Sequence, residues 1–188
     1  MILGLSGAKG SGKDTVAAYL VKEHGFERKA FADPLKKSVA ALFDIPFSMV
    51  DQFKNMEDVR VVVEDRHVPS KHYTDMDFRT FLQRYGTESH RDVFGESFWL
   101  DYTLPVQGFY PGREIVVSDV RFPNEVDRIH TLGGWVVMIH RVSAYAEKDQ
   151  HRSELLELKH DFEIYNDSTL NELFVRTDEI LEKLGTYA

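Results

Sequence analysis

The sequence predicts a three-layer α/β fold, a central parallel sheet flanked by helices, and three observations carry that expectation. A short apolar run, Met1 to Leu5, abuts a glycine-rich loop that opens directly into a helical pattern. Further short apolar runs alternate with amphipathic stretches along the rest of the chain. One such run, Glu114 to Asp119, ends in a carboxylate, and the carboxyl ends of strands are where open α/β sheets bind ligands. The 188 residues, 43% hydrophobic and 12% aromatic, suffice for a single domain of this kind with small excursions.

Met1 to Leu5 reads as a buried parallel strand. Lys13 to His24 carries Val16, Ala17, Leu20 and Val21 at helical spacing and stops at Gly25. Phe26 to Ala32 reads as a second strand. Asp33-Pro34 then opens a helix running to about Phe43, with Asp33 as N-cap and the proline in the first turn. Asp44 to Asp75 is the least regular stretch, with Val59 to Val63 β-prone between charged flanks. Phe78 to Tyr85 is helical, with Phe78, Phe81, Leu82 and Tyr85 on one side, and Gly86-Thr87-Glu88 breaks it. A helix over Ser97 to Val106, the strand Glu114 to Asp119, a helix over Asn124 to Leu132 and a strand over Trp135 to His140 follow. Arg141 to Arg152 is polar and irregular. Phe162 to Tyr165 is a last short strand, and Thr169 to Leu184 a closing helix.

Composition removes several classes of function. With 23 basic against 31 acidic residues the net charge is −8, which disfavours a nucleic-acid surface. The absence of cysteine excludes disulfides, zinc-thiolate sites and a cysteine nucleophile. No apolar segment approaches membrane-spanning length, and no basic leader precedes the first strand. The expectation is a cytoplasmic protein acting on small molecules, with neither membrane nor nucleic acid as partner.

The strongest signal is Gly7-Ala8-Lys9-Gly10-Ser11-Gly12-Lys13-Asp14-Thr15, which fits the phosphate-cradling pattern G-x-x-x-x-G-K-[ST] until its last position. Gly7, Gly10 and Gly12 let the backbone N–H groups of Lys9, Ser11 and their neighbours face phosphate oxygens at a helix N-terminus. Lys13 then reaches the β- and γ-phosphates. The alternative is a glycine turn that merely caps a helix. Asp14 stands where a Mg²⁺-ligating hydroxyl is usual, but a carboxylate in a first helical turn suits the dipole and can face outward. Thr15 is a weak metal candidate, and Mg²⁺ keeps several waters readily. Asp119 is the Mg²⁺ anchor, directly or through water; alternatively it is a capping or salt-bridged aspartate. Arg121 either leans over the phosphates or pairs with Asp119. The strand-end run Asp119-Val120-Arg121-Phe122 is not D-x-x-G, and N-K-x-D is absent, which argues against a switch GTPase.

On the acceptor side Arg79 and Gln83, four apart, share a helix face; an arginine suits a bidentate phosphate grip and a glutamine a base edge. Arg91 follows the break, where the chain can fold back. Lys36 lies near a helix N-terminus that also attracts anions. Asp33 is most simply a cap, with substrate contact the smaller reading. Trp99 is a candidate for stacking on a base, although aromatics at such spacing more often belong to a core.

Taken together, "SGAKGSGKDT" (Ser6 to Thr15), "FADPLK" (Phe31 to Lys36), "LQRYGTE" (Leu82 to Glu88), "FWLD" (Phe98 to Asp101), "VVSDVRFPNE" (Val116 to Glu125), "HRSE" (His151 to Glu154) and "NDSTLNEL" (Asn166 to Leu173) resemble the bacteriophage-type deoxynucleoside monophosphate kinases of the P-loop kinase superfamily. The G-K-D-T form of the loop is familiar in that group. The resemblance implies the P-loop kinase fold, an acceptor-binding region over about 33–100, a lid over about 141–154 with Arg141, His151 and Arg152, and an adenine rest at the turn of Asn166 and Ser168. It implies Mg·ATP as donor, transfer of the γ-phosphoryl group to a deoxynucleoside 5′-monophosphate, and nucleotide metabolism in the host cytoplasm if a phage encodes the chain. A homodimer is compatible with it. The readings that compete are another small-molecule P-loop kinase, resembling dephospho-coenzyme A kinase, and a non-catalytic nucleotide-binding module.

Overall fold

The computed structural model describes residues 1–65, 72–107, 110, 112–141 and 158–185. Two compact units emerge, one formed by Met1–Phe31 with Thr103–Ala188 and the other by Ala32–Tyr102.

The first unit is built on a parallel five-stranded sheet. β1 (Ile2–Ser6) is its centre, between β5 (Ile115–Val120) and β6 (Trp135–His140), with β2 (Glu27–Lys29) and β7 (Phe162–Tyr165) at the edges. All five residues of β1 are buried, as a strand covered on both faces requires. Leu3, Leu5, Val116, Val137, Ile139 and Ile164 pack against α1 (Lys13–His24) and α8 (Leu170–Gly185), whose Val16, Ala17, Leu20, Leu173, Ile180 and Leu184 complete one core. Full burial of Leu20 alone stabilises by about 2 kcal/mol. The other face receives α7 (Pro123–Thr131). A Cβ on Gly4 would stand 2.5 Å from Ile129 Cδ1, so only glycine lets that helix close on the central strand. The three-layer arrangement expected from the sequence is therefore the one observed.

Side-chain hydrogen bonds tie this unit further. Tyr19 on α1 donates to Asp178 Oδ2 on α8 at 2.7 Å, and His24 Nε2 meets Asp178 Oδ1 at 2.9 Å. That hydrogen bond, reinforced by burial and by the Asp178 charge, pushes the Tyr19 phenol up to about 12. Just before β7, His160 Nδ1 faces the Leu158 carbonyl at 2.9 Å and Nε2 faces Glu163 Oε1 at 2.7 Å, while Tyr165 donates to Glu163 Oε2 at 2.9 Å. Burial pulls the His160 imidazole down, but the Leu158 carbonyl and Glu163 outweigh it and hold it above its ordinary value. The Glu163 carboxyl is held below its own, by Tyr165 first and His160 second. A raised folded-state pKa gives stability that is present at low pH and lost as pH rises through it; the lowered Glu163 limits the same window from the acid side. His160→Gln should therefore melt below the wild type between about pH 5 and 6, with the difference closing by about pH 9. Thermal melting across that range checks it; a gap independent of pH would rule the ion pair out.

The second unit comprises α2 (Asp33–Phe43), α3 (Phe47–Lys54), an antiparallel hairpin of β3 (Arg60–Asp65) and β4 (His72–Asp77), α4 (Phe78–Gly86), a π turn (Thr87–Arg91), α5 (Asp92–Phe94) and α6 (Phe98–Thr103). Val39, Ala40, Val50, Val61, Phe78 and Leu82 form its core, with Phe53, Phe81 and Tyr85 around them. Asp77 caps α4, its carboxylate accepting from the Thr80 N–H at 2.8 Å and the Thr80 hydroxyl at 2.7 Å.

Several expected boundaries shift. The irregular stretch 44–75 contains α3 and the hairpin. The expected break at Gly86-Thr87-Glu88 is no break, because the π turn carries the helical path from α4 into α5. There the Tyr85 carbonyl accepts from the Ser89 hydroxyl at 2.7 Å and faces His90 Nδ1 at 2.6 Å. The expected strand Phe26 to Ala32 shrinks to three residues, and the helix Ser97 to Val106 to six. The N-cap of α2 falls on Ala32, which makes Asp33 its first helical residue rather than its cap. Thr169, expected as the first residue of the closing helix, instead precedes α8 and caps it, its hydroxyl accepting from the Glu172 N–H at 3.3 Å. Among the described residues no helix is long and apolar enough to cross a membrane.

Candidate active site

Three residues of the Gly7–Thr15 loop sit at positive φ, namely Gly7 (141°), Gly10 (79°) and Gly12 (112°). Only glycine holds these angles without strain, and Gly12 is also the left-handed residue from which α1 starts. The loop is fastened from three sides. Lys13 is buried and its Nζ donates to the carbonyls of Gly7 at 2.6 Å and Ala8 at 2.7 Å. Asn166, directly after β7, donates from Nδ2 to the Ser11 carbonyl at 2.8 Å. Arg141, directly after β6, makes a long contact of 3.4 Å to the Gly10 carbonyl.

A cleft of about 250 Å³ opens over this loop, lined by Gly10, Gly12, Lys13, Asp14, Thr15, Arg141, Asn166, Ser168 and Leu170. Cationic Lys13 and Arg141 lie in one concavity with the first amides of α1, the combination that binds oligophosphate. Asp14 is exposed, as a first-turn carboxylate facing water should be. Among the described residues Ser11 Oγ is buried without a hydrogen-bond partner, and Lys9 is exposed.

Asp119 lies next to the last residue of β5, and its Oδ1 accepts from the Phe31 N–H at 2.7 Å. One carboxylate oxygen is thus committed to fixing the chain after β2. Arg121 is half-buried, and its N–H and that of Phe122 are held by Glu125 Oε2 at 2.7 and 3.1 Å. Glu125 was missed in the sequence, although a glutamate three residues into a helix is a capping signal. Thr15 lines the cleft over the loop, whereas Asp119 is not among its lining residues.

In the second unit Lys36 Nζ meets Asp51 Oδ2 at 2.8 Å. Arg79 Nη2 reaches the Lys54 carbonyl at 3.4 Å and Asn55 Oδ1 at 3.3 Å, while Gln83 is exposed one turn further along α4. Asp33 and Arg91 are half-buried. Trp99 is 5% exposed and its Nε1 donates to the Gly86 carbonyl at 3.0 Å, so its ring is part of the unit's packing rather than an open stacking face. His151 and Arg152 lie outside the described residues.

The profile of the deoxynucleotide monophosphate kinase family matches residues 47–177. The chain belongs to that family. A protein of Acanthamoeba polyphaga mimivirus, provisionally described as a deoxynucleotide monophosphate kinase, is 34% identical over 191 residues, covering 93% of this kinase and 92% of the viral protein. Among solved structures, shikimate kinase from Aquifex aeolicus superposes with a TM-score of 0.43 at 12% identity, over 100% of this kinase and 98% of that chain, a likeness too distant to bear on the reaction. The matched range begins after the phosphate loop, so the family assignment and the loop geometry stand independently. This kinase is a nucleotide kinase.

Proposed function

We propose that this kinase transfers the γ-phosphoryl group of ATP to a deoxynucleoside 5′-monophosphate, giving the deoxynucleoside diphosphate and ADP. The observation that carries the reading is the Gly7–Thr15 cradle with Lys13 at its floor, in a chain of the deoxynucleotide monophosphate kinase family. The amides of Gly10 to Thr15 hold the α- and β-phosphates, and Lys13 spreads the charge that develops on the transferring group. Asp119 and Thr15 would hold a Mg²⁺ ion, which would supply further charge neutralisation. Arg121 and Arg141 add positive charge. The base of the donor lies over Asn166 and Ser168, with Leu170 as apolar support.

The acceptor phosphate is gripped by Arg79 and Lys36, and Gln83 meets the base edge. A phosphate monoester is already nucleophilic at neutral pH, so positioning replaces a strong general base. Arg91 and Asp33 contact the same substrate.

Incubation with Mg·ATP and dAMP, dGMP, dCMP, dTMP or AMP, followed by chromatography, tests the reading. Diphosphate from one or more deoxynucleotides supports it. ATP binding without product from any monophosphate would refute it and make dephospho-coenzyme A the next acceptor.

Asn166 gives a separable check on the donor side. Asn166→Ala leaves the buried Ser11 carbonyl unpaired and should cost about 1–2 kcal/mol in stability. It should also raise the KM for ATP while leaving the KM for the acceptor unchanged. Equal changes in both would mean that Asn166 does not act through the loop.

A further inference from the structure

Helix α3 has no part in the reading above, yet both candidate acceptor-phosphate cations end on it. Lys36 Nζ lies 2.8 Å from Asp51 Oδ2, with the Lys36 side chain 16% exposed and Asp51 51% exposed. Arg79 Nη2 reaches the Lys54 carbonyl and Asn55 Oδ1. Asp51 and Asn55 are joined in turn, Asn55 Nδ2 donating to the Asp51 carbonyl at 2.9 Å. Lysine and arginine from two different helices thus converge on one helical turn, whose ends lie about 6 Å apart.

We infer that the Asp51–Asn55 turn of α3 is the positioning element of the acceptor site, holding Lys36 and Arg79 side by side as a seat for a phosphate dianion. The inference rests on the proposed function. The Asp51 carboxylate partners Lys36, while the Lys54 carbonyl and the Asn55 side chain partner Arg79, so the two cations are fixed at opposite ends of one turn. Two cations against one anion leave a net positive charge at the seat. A phosphate monoester carries close to two negative charges at neutral pH and accepts hydrogen bonds on three oxygens, which matches that residue of charge. The Arg79 contacts to the turn are long, 3.3 and 3.4 Å, so the guanidinium is oriented there without being saturated. The carbonyl end of α3, where Lys54 and Asn55 lie, adds a negative dipole that keeps Arg79 turned toward it. An isolated surface ion pair would be worth little. Here the pair and the arginine contact share one turn, and that sharing is what distinguishes a seat from an incidental bridge.

The test is the ratio of affinities for a deoxynucleoside 5′-monophosphate and its parent deoxynucleoside, measured by calorimetry for all four common bases. That ratio isolates the phosphate. In Asp51→Asn it should fall about tenfold, in Asn55→Ala about threefold, and Asp51→Glu should restore most of it. ATP affinity and melting temperature should hold in all three variants, which a merely structural role for the turn would not allow. A ratio that is unchanged or larger in Asp51→Asn overturns the inference, the larger value showing the carboxylate to be a competitor of the phosphate. Wild-type protein that binds monophosphate no better than nucleoside overturns it too. If the ratio behaves as expected but no diphosphate forms with ATP, the seat stands and the proposed transfer fails.

Discussion

Lys13→Ala will lower kcat/KM for phosphoryl transfer by about 10³-fold, the size of effect seen when a single preorganised donor to a developing negative charge is removed. Two consequences follow from the same side chain. Its Nζ donates to the Gly7 and Ala8 carbonyls, so the substitution also removes two fasteners of the loop and should weaken ATP binding. Lys13→Met keeps the buried methylene stem but loses both the charge and the two hydrogen bonds, so comparing it with Lys13→Ala separates loss of packing from loss of the ammonium group. Activity within tenfold of wild type in both variants, assayed with saturating ATP, would show that the lysine does not stabilise the transferring group.

Gly7→Ala will destabilise the fold by roughly 3 kcal/mol or more, and Gly10→Ala by only about 1 kcal/mol. Both residues have positive φ, which an alanine tolerates poorly. At Gly7 the added Cβ would also stand against the Ile139 carbonyl oxygen on β6 and 2.7 Å from Ser11 Oγ, whereas at Gly10 it would meet nothing within 4 Å. A backbone oxygen held in a sheet cannot step aside, so at Gly7 either the loop or the strand must shift. Urea unfolding of the two variants gives the comparison directly. Equal midpoints would mean that the loop relaxes around the added methyl.

Elements whose residues are paired with strong periodicity were legible in the sequence. β1, α1, β6, α7 and α8 stand within a residue or two of where apolar spacing and glycine stops put them. The position of the cleft over the Gly7–Thr15 loop was legible for a related reason, since that loop is written in glycine positions and one lysine, and all the cleft's lining residues except Leu170 had been singled out. The second unit was harder. Its hairpin leaves Val62 and Val63 61% and 50% exposed, so no alternation of apolar and polar residues marks a buried face. α3 is eight residues long with one buried side chain, Val50, too little to give a helical signature. Asp51 and Asn55 matter through partners 15 and 24 positions away, and no local pattern encodes such contacts. Trp99 misled because an aromatic that packs and one that stacks on a base look alike until its burial is known.

The π turn at Thr87–Arg91 sets the angular phase of everything downstream of it. Residues of an α-helix advance by about 100°, so twelve positions of uninterrupted helix would leave Arg91 about 120° around the axis from Arg79. A π turn takes up one additional residue, and twelve positions then count as eleven, bringing Arg91 back to within about 20° of Arg79. By the same count Gln83 lies about 40° from Arg79 and about 20° from Arg91. One extra residue in the helix thus places two arginines and a glutamine along a single line more than three turns long. Deleting any one residue from 87–90 would keep the helix and rotate Arg91 out of that line.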